Sequence, residues 1–177
     1  MAKIKFREEE LTLGEEEIFI GSYAPEIVLT ASDLSAAKVG GNDGIEILVS
    51  VPSLDCDICD IYALRLDKFN EKMADKIAIK LNVISSDLPF AINKSSFAKN
   101  LRKLNFLSDF RDKSFGKKYG VLITDGSLAG LLTCAIFVVK DGVVIHKQIL
   151  GNLNDEPNYD AVFDAIKRTG GCSCGCM

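Results

Sequence analysis

Cysteines are the residues of this sequence whose type and spacing could carry chemistry, and two of the six, Cys56 and Cys59, form a C-x-x-C pair. A thiolate is the reactive form of cysteine, and the free N–H groups in the first turn of a helix stabilise it. A spacing of three brings both sulfurs to one face of a helix, within reach of a disulfide. The pair could therefore be a disulfide switch, an oxidant-reducing thiol with a neighbour, or half of a metal site. It could also be two small apolar core residues.

Three carboxylates flank the pair, at Asp55, Asp57 and Asp60. A carboxylate within about 4–6 Å raises the pKa of a thiol, because it disfavours a second negative charge nearby. A helix start acts in the opposite direction, through its N–H groups and the positive end of the helix dipole. The sequence leaves this balance open.

A third cysteine, Cys134, lies in the apolar segment LLTCAIFVV, where a free cysteine can be an ordinary core residue. Structural zinc takes four ligands, so a metal site built on Cys56, Cys59 and Cys134 would need a fourth ligand from elsewhere. We treat these three cysteines as candidate metal ligands, and we assign neither a metal nor a cofactor.

The last three cysteines alternate in the segment GGCSCGCM, at Cys172, Cys174 and Cys176. The glycines and the position after the last helix pattern predict a flexible tail over residues 170–177, which could have no role. A flexible coil of about eight residues has a root-mean-square span of roughly 16 Å. A tail thiol could therefore reach a nearby site, and we treat all three as candidate redox partners.

The segments around the cysteines predict strands and helices in alternation. The apolar run GIEILVSV predicts a buried strand before the pair, and Tyr62, Leu66, Phe69 and Met73 recur after it at helical spacing. Two further buried strands are predicted from KIAIKLNVIS and LLTCAIFVV, with a helical segment between them. The pair is therefore expected where a strand ends and a helix begins.

The remaining segments predict an N-terminal β-hairpin from KIKFREEELTLGEEEIFIG, a C-terminal hairpin that ends in VVIHKQIL, and a closing helix. Alternation along the C-terminal hairpin turns His146 toward the surface. This order predicts an α/β chain of the thioredoxin-like fold, with a central mixed sheet flanked by helices. We expect a single domain over residues 1–169.

Composition excludes several kinds of partner. The net charge is −4 and no block of lysine and arginine is present, so we expect no binding to nucleic acid or to an anionic membrane. No run approaches the roughly 20 apolar residues that cross a bilayer, and the N-terminal segment is charged. We therefore expect a cytoplasmic protein, in which paired cysteines are more often catalytic or metal-binding than structural.

The loop VPSLDCDIC resembles the P-S-x-D-T-x-x-C loop of bacterial thiol peroxidases, a branch of the peroxiredoxins. The segments ISSDLPFA, LSDFR, FGKKYGV, DGSLAGLL and EPNYDA agree in the same order, so the resemblance covers nearly the whole chain. It implies a thioredoxin fold, a homodimer, and a cysteine that reduces peroxide and becomes a sulfenic acid. A second thiol would then form a disulfide, which a thioredoxin-like protein reduces. By position, the resemblance makes Cys59 the peroxidatic cysteine, Pro52 the loop proline, and Arg111 the arginine of LSDFR.

The sequence departs from this family at three positions. Cys56 replaces the threonine that precedes the reactive cysteine, and the segment after DLPFA lacks the usual resolving cysteine. Cys134 stands where the family has its other active-site arginine, which lowers the thiol pKa. The resemblance therefore implies a less acidic Cys59 and places three thiols, Cys56, Cys59 and Cys134, close together.

Three functions are compatible with these residues. The first is a thiol-dependent peroxidase for hydrogen peroxide or organic hydroperoxides, with Cys59 peroxidatic and Cys56 resolving. The second is a thiol-disulfide oxidoreductase in which Cys56 attacks and Cys59 resolves, as in thioredoxins. The third is a metal or iron–sulfur binding module that uses Cys56, Cys59, Cys134 and the tail. We favour the first, because the resemblance covers nearly the whole chain.

Overall fold

The computed structural model describes residues 1–73, 77–101 and 103–170, which form nine strands and four helices. The strands are β1 (Lys3–Phe6), β2 (Glu9–Thr12), β3 (Ile27–Ala31), β4 (Ala36–Val39), β5 (Ile45–Ser50), β6 (Ile79–Ser85), β7 (Asn105–Ser108), β8 (Ala135–Lys140) and β9 (Val143–Ile149). The helices are α1 (Asp57–Met73), α2 (Pro89–Lys99), α3 (Ser114–Lys118) and α4 (Tyr159–Gly170).

A seven-stranded sheet forms the centre of the fold, in the order β4-β3-β7-β6-β5-β8-β9. Strands β5, β6 and β7 run parallel, whereas β8, β9, β3 and β4 pair antiparallel with their neighbours. Parallel neighbours require a crossover connection, which α1 provides between β5 and β6 and α2 between β6 and β7. The sheet is therefore mixed and flanked by helices, which confirms the predicted thioredoxin-like fold.

Helix α1 packs on this sheet through the side chains whose spacing predicted it. Tyr62, Leu66 and Phe69 are all buried. The ring of Phe69 also stacks on Phe163 of α4, with ring centroids 3.7 Å apart. Because all six residues of β5 are buried, as in strands covered by helices, the strand and helix that flank the cysteine pair belong to the core.

The predicted N-terminal hairpin is also confirmed, as an antiparallel pair of β1 and β2. Ile4 and Leu11 are its buried side chains. The backbone N–H of Thr12 donates to Asp125 Oδ1 at 2.6 Å, which ties the hairpin to the segment that leads toward Cys134.

Details of the sheet differ from the sequence prediction. Strands β4 and β7, which have four residues each, were not predicted. Cys134 directly precedes β8 and is not part of it, since the strand begins at Ala135. The prediction that His146 faces the surface is wrong: the residue is half-buried, with its Nε2 atom inside the protein. A register shift beside Val138 and Val139 interrupts the alternation on which that prediction rested.

Of the predicted tail over residues 170–177, Gly170 is the last residue of α4, and residues 171–177 with Cys172, Cys174 and Cys176 lie outside the described residues. The division into a domain over 1–169 and a tail from 170 therefore stays a prediction. None of the helices in the described part of the chain has the length and apolar character that a bilayer crossing demands.

Candidate functional site

The cysteine pair lies at the carboxyl ends of the central parallel strands, where ligand sites form in α/β sheets. Strand β5 ends at Ser50 and α1 begins at Asp57, so residues 51–56 connect them. Cys56 directly precedes the helix, and Cys59 lies in its first turn. The predicted position of the pair, at a strand-to-helix junction, is confirmed.

Asp87, in the turn after β6, holds the loop that leads to the cysteines. Its Oδ1 atom accepts a hydrogen bond from the Ser53 hydroxyl at 2.9 Å, and its Oδ2 atom accepts from the Leu54 N–H at 2.7 Å. The Ser85 hydroxyl donates to the same Oδ2 atom at 2.9 Å. The Ser108 hydroxyl donates to the Asp87 carbonyl. One residue therefore links the ends of β6 and β7 to the cysteine loop.

Cys134 approaches the same place from β8, on the other side of β5. The antiparallel register pairs Ser50 with Ala135, the residue after Cys134. The Ser50 hydroxyl donates to the Thr133 carbonyl at 2.7 Å, and the Leu150 N–H donates to the Cys134 carbonyl at 3.0 Å. These contacts fix the backbone of Cys134 beside the end of β5.

Cys59 interacts with both of the other described cysteines, and all three are free thiols. Cys59 and Cys134 are each 2% exposed, whereas Cys56 is half-buried. A hydrogen bond with Cys134 is the main cause that raises the pKa of Cys59, and burial raises it further. The backbone of Ser53 and the Cys56 thiol lower the pKa by smaller amounts. The net result is a raised pKa, in the direction that the resemblance implied.

The interactions that lower the pKa are those that stabilise a Cys59 thiolate. A thiolate only accepts hydrogen bonds, and the Ser53 N–H and the Cys56 S–H are donors within its reach. A Cys59 thiolate would therefore keep two hydrogen-bond donors.

Two tyrosines lie within electrostatic reach of Cys134. The Tyr62 hydroxyl donates to the Asp155 carbonyl, while the buried Tyr159 hydroxyl has no hydrogen-bond partner among the described residues. Burial is the main cause that raises the pKa of Tyr159 to about 12, and burial followed by the charge of Cys134 raises the pKa of Tyr62. Both phenols are therefore neutral at physiological pH and add no charge to the thiol site.

The proposed metal ligands do not form a metal site by themselves. Within residues 1–73, 77–101 and 103–170, no three His, Cys, Asp or Glu side chains are grouped so as to hold a metal ion. Cys56, Cys59 and Cys134 therefore do not form such a group either. A sulfur in contact with two further thiols is instead suited to oxidation followed by disulfide formation.

The other predicted site residues have different surroundings. Pro52 is half-buried in the cysteine loop, as predicted. Arg111 is exposed; its Nε atom donates to Thr30 Oγ1 at 3.3 Å, and its guanidinium lies 5.3 Å from the ring centroid of Phe110. Neither contact joins Arg111 to the cysteines, so its catalytic role stays a prediction.

Sequence reasoning assigned no role to Asp87, although it lies in the quoted segment ISSDLPFA. The available signal was a carboxylate two residues after the end of a buried strand, a position from which a side chain can reach neighbouring loops. Tyr62 was identified only as a core residue, and nothing in its helical spacing reveals that it lies near Cys134.

Comparison with known proteins agrees with this site. The Redoxin family matches residues 20–163 of the chain. The thiol peroxidase of Campylobacter jejuni is 37% identical over 177 residues, which cover 98% of this chain and 99% of that protein. The thiol peroxidase of Aquifex aeolicus is 38% identical over 159 residues, which cover 89% of this chain and 92% of that protein.

Solved structures support the same assignment. A peroxiredoxin-like protein from Aquifex aeolicus aligns with a TM-score of 0.85 at 35% identity, over 94% of this chain and 96% of the other. The thiol peroxidase from Chromobacterium violaceum aligns with a TM-score of 0.84 at 25% identity, with the same coverage. These relatives do not favour the disulfide reductase or the metal-binding alternative. The chain therefore belongs to the Redoxin family, in its thiol peroxidase branch, and is a thiol-dependent peroxidase of the peroxiredoxin type.

Proposed function

We propose that Cys59 is the peroxidatic thiol and that it reduces hydrogen peroxide or an organic hydroperoxide. The observation that carries this assignment is the position of Cys59 Sγ in the first turn of α1, where it accepts hydrogen bonds from the Ser53 N–H and the Cys56 thiol. These donors stabilise the thiolate that attacks the peroxide. The equivalent position in the resemblance to thiol peroxidases supports the same residue.

The proposed reaction begins when the Cys59 thiolate attacks one oxygen of the peroxide. A sulfur–oxygen bond forms and the O–O bond breaks, so Cys59 becomes a sulfenic acid and the other oxygen leaves as water or an alcohol after taking a proton. A neighbouring thiol then forms a disulfide with Cys59 and releases water. The disulfide ends between Cys59 and Cys56, the half-buried cysteine that a thioredoxin-like dithiol protein would attack.

A coupled assay tests this proposal. Reduced protein is mixed with hydrogen peroxide, thioredoxin, thioredoxin reductase and NADPH, and NADPH loss is followed for the wild type and for Cys59→Ser. We expect turnover in the wild type and only the background rate in Cys59→Ser. Serine preserves size in the buried position, so equal rates in the two proteins would overturn the assignment of Cys59.

We also propose that the protein acts in the cytoplasm and as a homodimer. Free thiols such as Cys56, Cys59 and Cys134 persist in a reducing compartment, which supports the first proposal. Localisation of a tagged full chain by cell fractionation tests it, and recovery outside the cytoplasm would contradict it. The homodimer is considered with the whole molecule below.

A further inference from the structure

We propose that Cys134 is the first thiol to resolve the oxidised Cys59, and that Cys56 then takes over the disulfide by exchange. Oxidation would thus pass along three sulfurs in the order Cys59, Cys134, Cys56. This inference rests on the proposed role of Cys59 as the peroxidatic thiol. It assigns a catalytic role to a residue that occupies the position of an arginine in the thiol peroxidase pattern.

The position of Cys134 favours it over Cys56 as the first nucleophile. Cys134 lies within hydrogen-bond reach of Cys59 and is buried with it, each side chain being 2% exposed. Cys56 also contacts Cys59, but it is half-buried and lies in the loop directly before α1. Disulfide formation requires attack by the sulfur lone pair on the sulfenic sulfur.

Burial and backbone contacts keep Cys134 in this position. Its side chain is 2% exposed, and its carbonyl accepts from the Leu150 N–H at 3.0 Å. The preceding residue, Thr133, is held by the Ser50 hydroxyl at 2.7 Å. Cys134 therefore cannot move far from Cys59, so a sulfenic acid formed there has a thiol against it in a region from which water is largely excluded.

The same burial explains why a third thiol is needed. A disulfide between Cys59 and Cys134 would join two side chains that are each 2% exposed, and a protein reductant could not reach either sulfur. Cys56 is half-buried and contacts Cys59. It is therefore the thiol through which electrons from outside can enter.

Each step balances in atoms and electrons. The Cys134 sulfur attacks the sulfenic sulfur of Cys59; the S–S bond forms, the S–O bond breaks, and the hydroxyl leaves as water with the Cys134 proton. The Cys56 sulfur then attacks Cys59 Sγ, and Cys134 leaves as a thiol with the proton that Cys56 gives up. A dithiol protein of the thioredoxin type finally supplies two electrons to the Cys56–Cys59 disulfide and becomes oxidised itself.

Disulfide mapping in full-length variants tests this order. Reduced wild type, Cys56→Ser, Cys134→Ser and Cys59→Ser are each mixed with one equivalent of hydrogen peroxide and alkylated after increasing times. Peptides are then identified by mass spectrometry without reduction, and a parallel sample contains dimedone to trap sulfenic acid. Thioredoxin-coupled turnover is measured for the same proteins.

We expect Cys56→Ser to accumulate the Cys59–Cys134 disulfide and to lose thioredoxin-coupled turnover by at least about tenfold, because the reductant cannot reach the buried sulfurs. We expect Cys134→Ser to consume peroxide but to form its first disulfide at least about tenfold more slowly, with dimedone-trapped Cys59 in the interval. The wild type should end with Cys56 and Cys59 paired.

Two results would overturn the inference while leaving the peroxidatic role of Cys59 intact. One is a persistent sulfenic acid on Cys59 in Cys56→Ser, or pairing of Cys59 with a tail cysteine instead of Cys134. The other is formation of the Cys56–Cys59 disulfide in Cys134→Ser at the wild-type rate. An absence of oxidised Cys59 in every variant would instead refute the proposed function itself.

Discussion

At the scale of single residues, Cys59 combines a reactive position with an unreactive protonation state. The helix start, the Ser53 N–H and the Cys56 thiol favour its thiolate, but the hydrogen bond to Cys134 and burial outweigh them and raise its pKa. An arginine at position 134, as the thiol peroxidase pattern has it, would act in the opposite direction. The resemblance to thiol peroxidases thus implies that Cys134 supplies a third thiol beside Cys59 in place of electrostatic activation by an arginine.

The raised pKa predicts how the rate of peroxide attack depends on pH. Only the thiolate attacks, so the second-order rate constant should rise about tenfold per pH unit from about pH 6 to pH 8. Cys134→Ala removes the bond that raises the pKa and should increase the rate at pH 7 by about tenfold for each unit by which the pKa falls. Cys56→Ala removes a bond that lowers the pKa and should decrease the rate.

Stopped-flow measurement of a single turnover checks these opposite effects, because it separates peroxide attack from disulfide formation. The two alanine variants are matched controls for each other, since each removes one thiol contact from Cys59. A rate that does not change between pH 6 and pH 8 in the wild type would show that Cys59 is already ionised and would contradict the raised pKa.

At the scale of structural elements, the site depends on one edge of the sheet, at which β5 and β6 end and the antiparallel strand β8 begins. Cys56 and Cys59 follow β5, Asp87 follows β6, and Cys134 precedes β8. Asp87 is the side chain that joins two of these ends, because its carboxylate binds both Ser53 and Leu54. The loop that positions Cys59 is therefore attached to the neighbouring strand and not only to its own.

Asp87→Ala should slow peroxide attack by Cys59, because the loop that carries the Ser53 N–H loses its anchor. A displacement of about 1 Å can cost up to about a hundredfold in rate, so we expect a loss of about tenfold to a hundredfold. The loss of three partly buried hydrogen bonds to the Asp87 carboxylate should also lower the free energy of unfolding by about 1–3 kcal/mol. Asp87→Asn keeps one carbonyl oxygen and should lose less.

Single-turnover kinetics and urea denaturation measure these two effects. Asp33→Ala is a suitable control, because Asp33 also accepts from a backbone N–H and a hydroxyl, both of Ser35, in an exposed turn. We expect that control to keep the rate of peroxide attack. If Asp87→Ala reacts with peroxide as fast as Asp33→Ala, then Asp87 does not position the cysteine loop.

At the scale of the whole molecule, the sequence predicts those parts of the fold that have long and regular patterns. Strands β5 and β6 are continuous apolar runs, and α1 repeats its buried positions for several turns, so each can be recognised locally. Strands β4 and β7 have four residues each, and their place in the sheet is decided by tertiary pairing. The prediction for His146 fails because it assumes an unbroken alternation along β9. The register shift that interrupts this alternation depends on the pairing of β9 with β8.

The candidate site shows the same difference between local patterns, which the sequence reveals, and contacts that depend on the tertiary fold. The C-x-x-C pair at a helix start is visible in the sequence, because both residues belong to one segment. The contact between Cys59 and Cys134 was expected only through the family resemblance, since no local pattern connects residues so far apart. The contacts of Asp87 with Ser53 and Leu54 span 34 and 33 positions in the chain and arise only when the sheet has formed.

We predict that the whole protein is a homodimer. Leu88 and Phe90, which flank Pro89 directly after Asp87, are 55% and 72% exposed, and such apolar surface supports association with a second copy. We expect light scattering to give twice the mass of the chain for the wild type and a mass nearer the monomer for Phe90→Asp. Tyr23→Asp is the control, because Tyr23 is 84% exposed and pairs with Val143 of the edge strand β9, which lies on the other side of β5 from β6. A monomeric wild type would contradict the proposal.

The sulfur that peroxide oxidises first is identified most directly in a Cys56→Ser, Cys134→Ser double variant. Both of the other described cysteines are then absent, so among the described residues no second thiol can trap a sulfenic acid on Cys59. After one equivalent of hydrogen peroxide in the presence of dimedone, peptide mass spectrometry should find the adduct on Cys59. An adduct on any other cysteine, with Cys59 recovered unmodified, would contradict the assignment of Cys59 as the peroxidatic thiol.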